Sequence, residues 1–358
     1  MERIDEIGFY PLLLLPETGQ FADKAAEMNI ETHFLPSLIK HGEAHRLHKL
    51  PRMTSAIFGL KKIIRERNVR ILHSNTPRAA FIGGLAARMA GIPSVVHVRD
   101  IYLSPFSHPL KAWLLNVLSD VIVAVSSATR ESIVASSRVP KDKVRVVYNG
   151  VDVESLVHRS YMDMRKQFSV QKDAPLIGCF GLLDPAKGQE VLIEAAALIK
   201  ETLPSLRALI VGDTLLEKQR NYQKKLVNLA TEMGLSETII FTGFRNDVFD
   251  IMKALDVLVH PAIYPEPFPR TLLEASALER AIVATRTGGI PELLDDGVSS
   301  LLVPPSDPAA LARAVLLLLK DRDKARTLAV SARKKVEDNF SLDRHVEGIT
   351  RIYRELLD

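Results

Sequence analysis

The run HPAIYPEPFPRTLLEASALERAIVATRTGGIPELLDDGVSSLLVPPSDP, residues 260–308, holds the residues best suited to chemistry. Glu266 stands in a proline-rich loop, YPEPFP, and Glu274 follows eight residues later. Proline suits the first turn of a helix, so the spacing predicts a helix starting near Pro269 that carries Glu274 about one and a half turns in. The N–H groups of Arg270, Thr271 and Leu272 would then point out of the helix start unpaired, a ready anion site. An acid, a set of phosphate-binding amides and a second acid would cradle a nucleotide diphosphate sugar. Glu274 would take ribose hydroxyls and Glu266 the sugar. The competing reading makes Glu274 a solvated helix residue and Glu266 a carboxylate complementing the helix dipole.

The elements that must position these residues alternate along the whole chain. Strand signals fall at 11–15, 31–36, 70–75, 94–100, 121–126 and 144–150, with helical stretches at 54–67 and 77–91 between them. The second half repeats the theme at 176–181, 208–213, 238–243, 257–262, 281–286 and 300–304. Short apolar runs bounded by turn residues read as strands buried on both faces, and the intervening helices make the sheets parallel. Two domains fit the 358 residues. The expected division is an N-terminal domain over 1–152 and a C-terminal one over 153–340, joined at NGVDVESLVHRS (149–160). A last helix, 341–358, sets Val346, Ile349, Ile352, Tyr353 and Leu356 on one face and would dock on the first domain.

Composition narrows the class. A chain 47% hydrophobic and 25% charged is globular in type. The single cysteine, Cys179, lies in the apolar run LIGCFGLL and reads as an inert core thiol. It excludes an internal disulfide framework and suits a reducing compartment. No segment approaches the roughly 18–20 apolar residues of a membrane span, and the N-terminus lacks the features of a secretory signal. A cytoplasmic location is the default expectation. Residues 1–150 carry 20 Lys and Arg against 13 Asp and Glu, whereas the remainder carries 27 against 30. The basic half suggests an anionic partner such as a phosphorylated substrate, lipid or nucleic acid, unless these are ordinary solvated side chains. Leu15-Pro16-Glu17-Thr18-Gly19 matches the sortase pentapeptide, but it stands near the start without the apolar tail such a signal needs. It reads as a strand end and a turn.

Glu266-x7-Glu274 within EPFPRTLLEASA, followed by TGGIPELLDDGVSSLLVPPSDP, resembles the GT4 family of retaining glycosyltransferases. GLLDPAKG (181–188), LIVGD (209–213), FTGFRNDV (241–248) and VVYNGVD (146–152) keep that family's order and spacing. The resemblance implies the GT-B fold, two Rossmann-like domains whose parallel sheets face a central cleft. It also implies that Lys187 contacts the donor diphosphate, Glu274 the ribose and Glu266 the transferred sugar. Phe268, Pro269, Arg270, Thr271 and Leu272 would support phosphate or sugar, and Gly243 with Phe244 would edge the base. Gly288 and Gly289 would allow backbone to approach ligand, or form an ordinary turn. His97 corresponds to the family's histidine near the sugar and makes, with Glu266, the catalytic pair. As a lone histidine on a strand it could equally be a core residue, but its carboxyl-end position favours the ligand crevice. Arg99 and Asp100 would bind acceptor or donor, or pair with their neighbours. No metal is expected: the DRD at 321–323 lies in a charged helical stretch.

Two features depart from the family pattern. Leu182 stands where the family usually places an arginine facing the diphosphate, and Arg270 is the candidate replacement. Family members also open with a strand and a glycine-rich loop, whereas PLLLLPETGQFADKAAEMNIETHFLP (11–36) matches the family's second strand, helix and third strand. MERIDEI would be the tail of the preceding helix. Either the recorded start lies late, or another chain fills the gap, or the first domain is degraded.

The expected reaction moves a sugar from a UDP- or GDP-sugar to an acceptor hydroxyl with retention, in polysaccharide, lipopolysaccharide or glycolipid synthesis. The nucleotide sugar is a co-substrate and no cofactor is implied. Partners would be a glycan or lipid-linked acceptor and no nucleic acid. The basic stretch KHGEAHRLHKLPR (40–52) and Trp113 suggest a peripheral position on the inner face of the plasma membrane, against a fully soluble enzyme with a basic acceptor cleft. The alternatives are a non-catalytic or truncated partner subunit and a nucleotide-sugar epimerase. A dehydrogenase would need a Gly-x-Gly-x-x-Gly after a strand, which is absent.

Overall fold

The structure, a computed structural model, describes residues 8–36, 50–102, 109–137, 139–214 and 217–358. The MERIDEI segment and most of the basic stretch 40–52 lie outside the described residues. The chain divides into two compact units, one of residues 1–147 with 345–358 and the other of residues 148–344.

In the first unit β1 (Leu12–Leu15) pairs in parallel with β2 (Glu31–Phe34) as a two-stranded sheet. Separately, β3 (Leu72–Ser74), β4 (Ser94–Val98), β5 (Val121–Ala124) and β6 (Val144–Val146) form a parallel sheet in that order. Helices Leu50–Glu66 and Pro77–Ala90 supply Ala56, Leu60, Ile64, Ile82 and Ala86 to a cluster that takes in both Leu14 of β1 and Leu72 of β3. The two sheets therefore share one apolar roof. Among the described residues, the edge of β1 away from β2 and that of β3 away from β4 carry no strand. This explains a difference from the sequence reading: of the four leucines in β1 only Leu13 is buried, because a strand at an open edge lacks the cover that a flanked strand receives.

The Pro16–Gly19 segment is the turn into helix Gln20–Glu27, with Gly19 at its N-cap. The terminal helix Leu342–Leu357 lays Ile349, Ile352, Tyr353 and Leu356 against Val95, Val123 and Val147 of the four-stranded sheet's region.

The second unit holds six parallel strands: β7 (Leu176–Phe180), β8 (Arg207–Val211), β9 (Ile239–Gly243), β10 (Val257–His260), β11 (Ala281–Thr285) and β12 (Leu301–Val303). Their order is β12-β11-β10-β7-β8-β9. Every residue of β7, β10 and β11 is buried, as runs such as LIGCF and AIVAT imply for a sheet covered on both faces. Ile177, Cys179, Val257, Val259 and Val283 share a cluster with Leu192, Ile193, Leu311 and Val315 of helices Gln189–Thr202 and Pro308–Lys320. Burial pushes the Cys179 thiol up to about 12, as an inert core thiol requires. The DRD segment is helical: the Asp321 carboxylate accepts the Lys324 N–H at a helix start, and Arg322 pairs with Asp256 at 2.6 Å.

Candidate active site

The strand order reverses between β7 and β10, and open parallel sheets bind ligands beyond the carboxyl ends of strands at such a point. The loops leaving these two strands are GLLDPAKG and PAIYPEPFP. They are tied together through backbone. The N–H groups of Ile263 and Tyr264 both donate to the Ala186 carbonyl, at 2.9 and 3.3 Å. Gly188, at φ 72°, ends the 3-10 turn Pro185–Lys187, and a Cβ there would lie 1.9 Å from the Pro261 carbonyl oxygen. Only glycine permits that approach. The consequence is that Lys187 Nζ donates to Glu266 Oε1 at 2.5 Å.

The Thr-Gly-Gly turn after β11 clasps the other side of Glu266. Gly289 N–H donates to the Glu266 carbonyl at 2.8 Å. Gly288 has φ 57°, and an added Cβ would stand 2.1 Å from that same carbonyl oxygen. The close approach these glycines allow is thus to the loop bearing Glu266.

Helix Arg270–Ala277 begins as the sequence predicts, with Pro269 at its N-cap. One detail is corrected. The Leu272 N–H is not an outward, unpaired donor, for it closes a turn onto the Pro269 carbonyl at 3.2 Å. Its side chain is fully buried, so Arg270 and Thr271 are left as the amides at the helix start. Phe268 is likewise a packing residue in its side chain: its ring lies 5.0 Å from that of Tyr148 and 5.2 Å from that of Phe340. Its carbonyl accepts from Asn149 Nδ2 at 3.1 Å. Glu274 is not a solvated helix residue, since its side chain is 13% exposed. Burial raises its pKa, and the Arg270 guanidinium, 3.3 Å away, opposes that rise. Leu182 is exposed and apolar. Gly243 ends β9 at φ 68°, and Phe244 after it is exposed.

His260 was not singled out by the sequence reading, because a histidine within VLVHPA looks like one more strand residue. It closes β10, and its Nε2 is buried 3.9 Å from Glu266 Oε1 with no hydrogen-bond partner among the described residues. The signal that could have found it is a polar residue at the carboxyl end of a central strand. Burial lowers its pKa to about 4, so the ring is neutral at pH 7.

In the first unit His97 is 1% exposed, enclosed instead of opening at the strand end. Its ring lies 5.5 Å from that of His73 and 6.1 Å from that of His345. His73 Nδ1 and the Tyr353 hydroxyl are hydrogen-bonded at 2.5 Å. Burial first, then the Arg99 charge, lowers His97 to about 2 and His73 to about 4. Arg99 and Asp100 follow β4 and are exposed.

Two Rossmann-like units of parallel sheet, with Lys187 paired to Glu266 at the switch point of the second and Glu274 on the helix that follows, define a GT-B glycosyltransferase. The profile described as Glycosyl transferases group 1 matches residues 161–335, and that described as Glycosyltransferase Family 4 matches residues 22–155. A Bacillus subtilis protein bearing the name glycosyltransferase EpsD is 30% identical over 318 residues, covering 84% of this chain and 80% of its own. The chain therefore belongs to the GT4 family of glycosyltransferases. The Escherichia coli UDP-Gal:alpha-D-GlcNAc-diphosphoundecaprenol alpha-1,3-galactosyltransferase is 23% identical over 357 residues, covering 96% of this chain and 89% of its own. Among solved structures, Anabaena Alr3699/HepE in complex with UDP and glucose superposes with a TM-score of 0.84 at 28% identity, covering 96% of this chain and 92% of that one. Among the described residues no helix is long and apolar enough to cross a membrane.

Proposed function

We propose that this glycosyltransferase moves a sugar from a UDP-sugar to a hydroxyl of a glycan or lipid-linked acceptor, with retention at the anomeric carbon. The observation that carries the reading is the Lys187–Glu266 pair at the switch point between β7 and β10, with the half-buried Glu274 on the helix that follows the Glu266 loop. Lys187 and the amides of Arg270 and Thr271 would meet the diphosphate, stabilising the leaving group through charges set in place before reaction. Glu274 would bind the ribose and Glu266 the transferred sugar. Gly243 and Phe244 would border the base. His97 enters as a neutral hydrogen-bonding group, because burial and Arg99 suppress its protonation; Arg99 and Asp100 are assigned to acceptor or donor. UDP is placed before GDP because the 28%-identical Anabaena protein is described with UDP and with UDP-glucose.

The test is calorimetric titration with UDP, GDP and ADP, followed by NMR of the anomeric configuration of the product. An inverted product, or preference for another nucleotide, overturns the corresponding part. We further assign the enzyme to the cytoplasmic face of the plasma membrane, in polysaccharide or glycolipid synthesis, from the basic excess of residues 1–150 and the exposed Trp113. Flotation with anionic vesicles at low salt checks this, and no binding there rejects it.

A further inference from the structure

Glu266 Oε1 is flanked by two nitrogens, Lys187 Nζ at 2.5 Å and His260 Nε2 at 3.9 Å, and of these two the lysine is the one bonded to it. The His260 nitrogen is thereby left buried without a hydrogen-bond partner among the described residues, a costly condition that native structures seldom keep without a use. The backbone around it is pinned. Thr285 Oγ1 donates to the Ala262 carbonyl at 2.7 Å, and the Pro261 carbonyl presses on Gly188. The backbone that carries the ring is therefore held at the end of β10.

This pairing cannot persist if Lys187 serves a diphosphate. A carboxylate with 11% side-chain exposure would lose its lysine partner just as new negative charge arrives beside it. His260 Nε2 stands 3.9 Å from the same oxygen, and a shift of about 1 Å would bring the pair to hydrogen-bond length. We propose that His260 is a positioning residue for Glu266: when a nucleoside diphosphate draws Lys187 away, the carboxylate exchanges the lysine for the Nε2–H of His260. The Nε2–H of His260 would then hold the Glu266 side chain toward the sugar in place of the lysine. The proposal rests on the reading of Lys187 as the diphosphate ligand.

The experiment uses the full chain labelled with 15N-histidine and titrated with UDP, then GDP. On saturation His260 is expected to adopt the Nε2–H tautomer, with a slowly exchanging proton resonance that is missing in His260→Gln. Its kinetic counterpart is His260→Leu, which fills similar space without a donor. UDP affinity should stay within about twofold while kcat falls about 10- to 100-fold, the scale of a misplaced reacting group. His260→Gln, which restores an N–H, should recover most of the loss. An unchanged His260 resonance under saturating UDP overturns the exchange, as does a glutamine variant no better than leucine. Lys187→Ala separates the two levels. If it binds UDP and GDP as the parent does, or if the parent binds neither, the underlying site reading fails. If it loses binding while His260 stays silent, only the exchange fails.

Discussion

Lys187 is bonded to Glu266 at 2.5 Å, and the proposed function asks the same ammonium to serve a phosphate. Losing a charge-assisted hydrogen bond costs about 1.5–3 kcal/mol, so Lys187→Ala should weaken UDP binding about 10- to 100-fold by calorimetry. Glu266→Gln should leave that affinity nearly unchanged and reduce turnover at least about 100-fold, because the partner proposed for it is the sugar. A variant that loses affinity and turnover together would contradict the division of labour. Arg270 offers a sharper case. Its side chain is 71% exposed and within 3.3 Å of Glu274, free to reach toward a phosphate where Leu182 cannot. Arg270→Ala should lower UDP affinity about threefold or more; unchanged affinity beside a crippled Lys187→Ala ends the idea that Arg270 replaces the missing arginine. Glu266, Glu274 and Lys187 were legible in the sequence because fixed spacing in strand–loop–helix segments survives translation into space. His260 was not, since its meaning comes from 3.9 Å across a loop and not from its neighbours in sequence.

Loops and strands carry information that single residues do not. Among the described residues every strand overlaps a run read from the sequence, and β7, β10 and β11 were legible from composition because strands buried in a parallel sheet cannot hide it. What the runs could not reveal was the pairing: a leucine run reads the same in a flanked strand as at an open edge. The β1–β2 sheet has two strands, a marginal assembly by itself. Its amides should exchange with deuterium at least about 100-fold faster than those of β4 and β5, as local opening free energies differ across a fold. Equal protection, measured by mass spectrometry of peptides over 12–34 and 94–124, would refute this. The Thr-Gly-Gly turn supplies the loop-scale counterpart. At Gly288 a methyl group meets both a φ of 57° and the Glu266 carbonyl at 2.1 Å, so Gly288→Ala should cost about 2–4 kcal/mol and displace Glu266. Turnover should then fall further than the loss of folded protein explains.

Across the whole molecule, buried neutral histidines link stability to pH. His73 and His97 in the first unit fall to about 4 and about 2, and His260 in the second to about 4, each mainly through burial. The terminal helix matters to this: Tyr353 bonds His73, and His345 stacks near His97. A histidine whose folded pKa is depressed binds its proton more readily in the unfolded chain. Its contribution is therefore complete above about pH 6.5 and declines as pH falls toward the folded value. Between pH 6.5 and 5 each such group forfeits about 2 kcal/mol at one pKa unit per 1.36 kcal/mol. The melting temperature should accordingly drop steeply from pH 7 to pH 5, and the slope should lessen in His73→Phe and in His260→Gln. Those two substitutions test the units separately, because one histidine lies in each. Where calorimetry resolves two transitions, each variant should flatten the acid response of one transition and leave the other unchanged. A melting temperature independent of pH across that window would mean that the rings are hydrated or paired in the folded protein. The neutral state assigned to His97 and His260 would then be untenable.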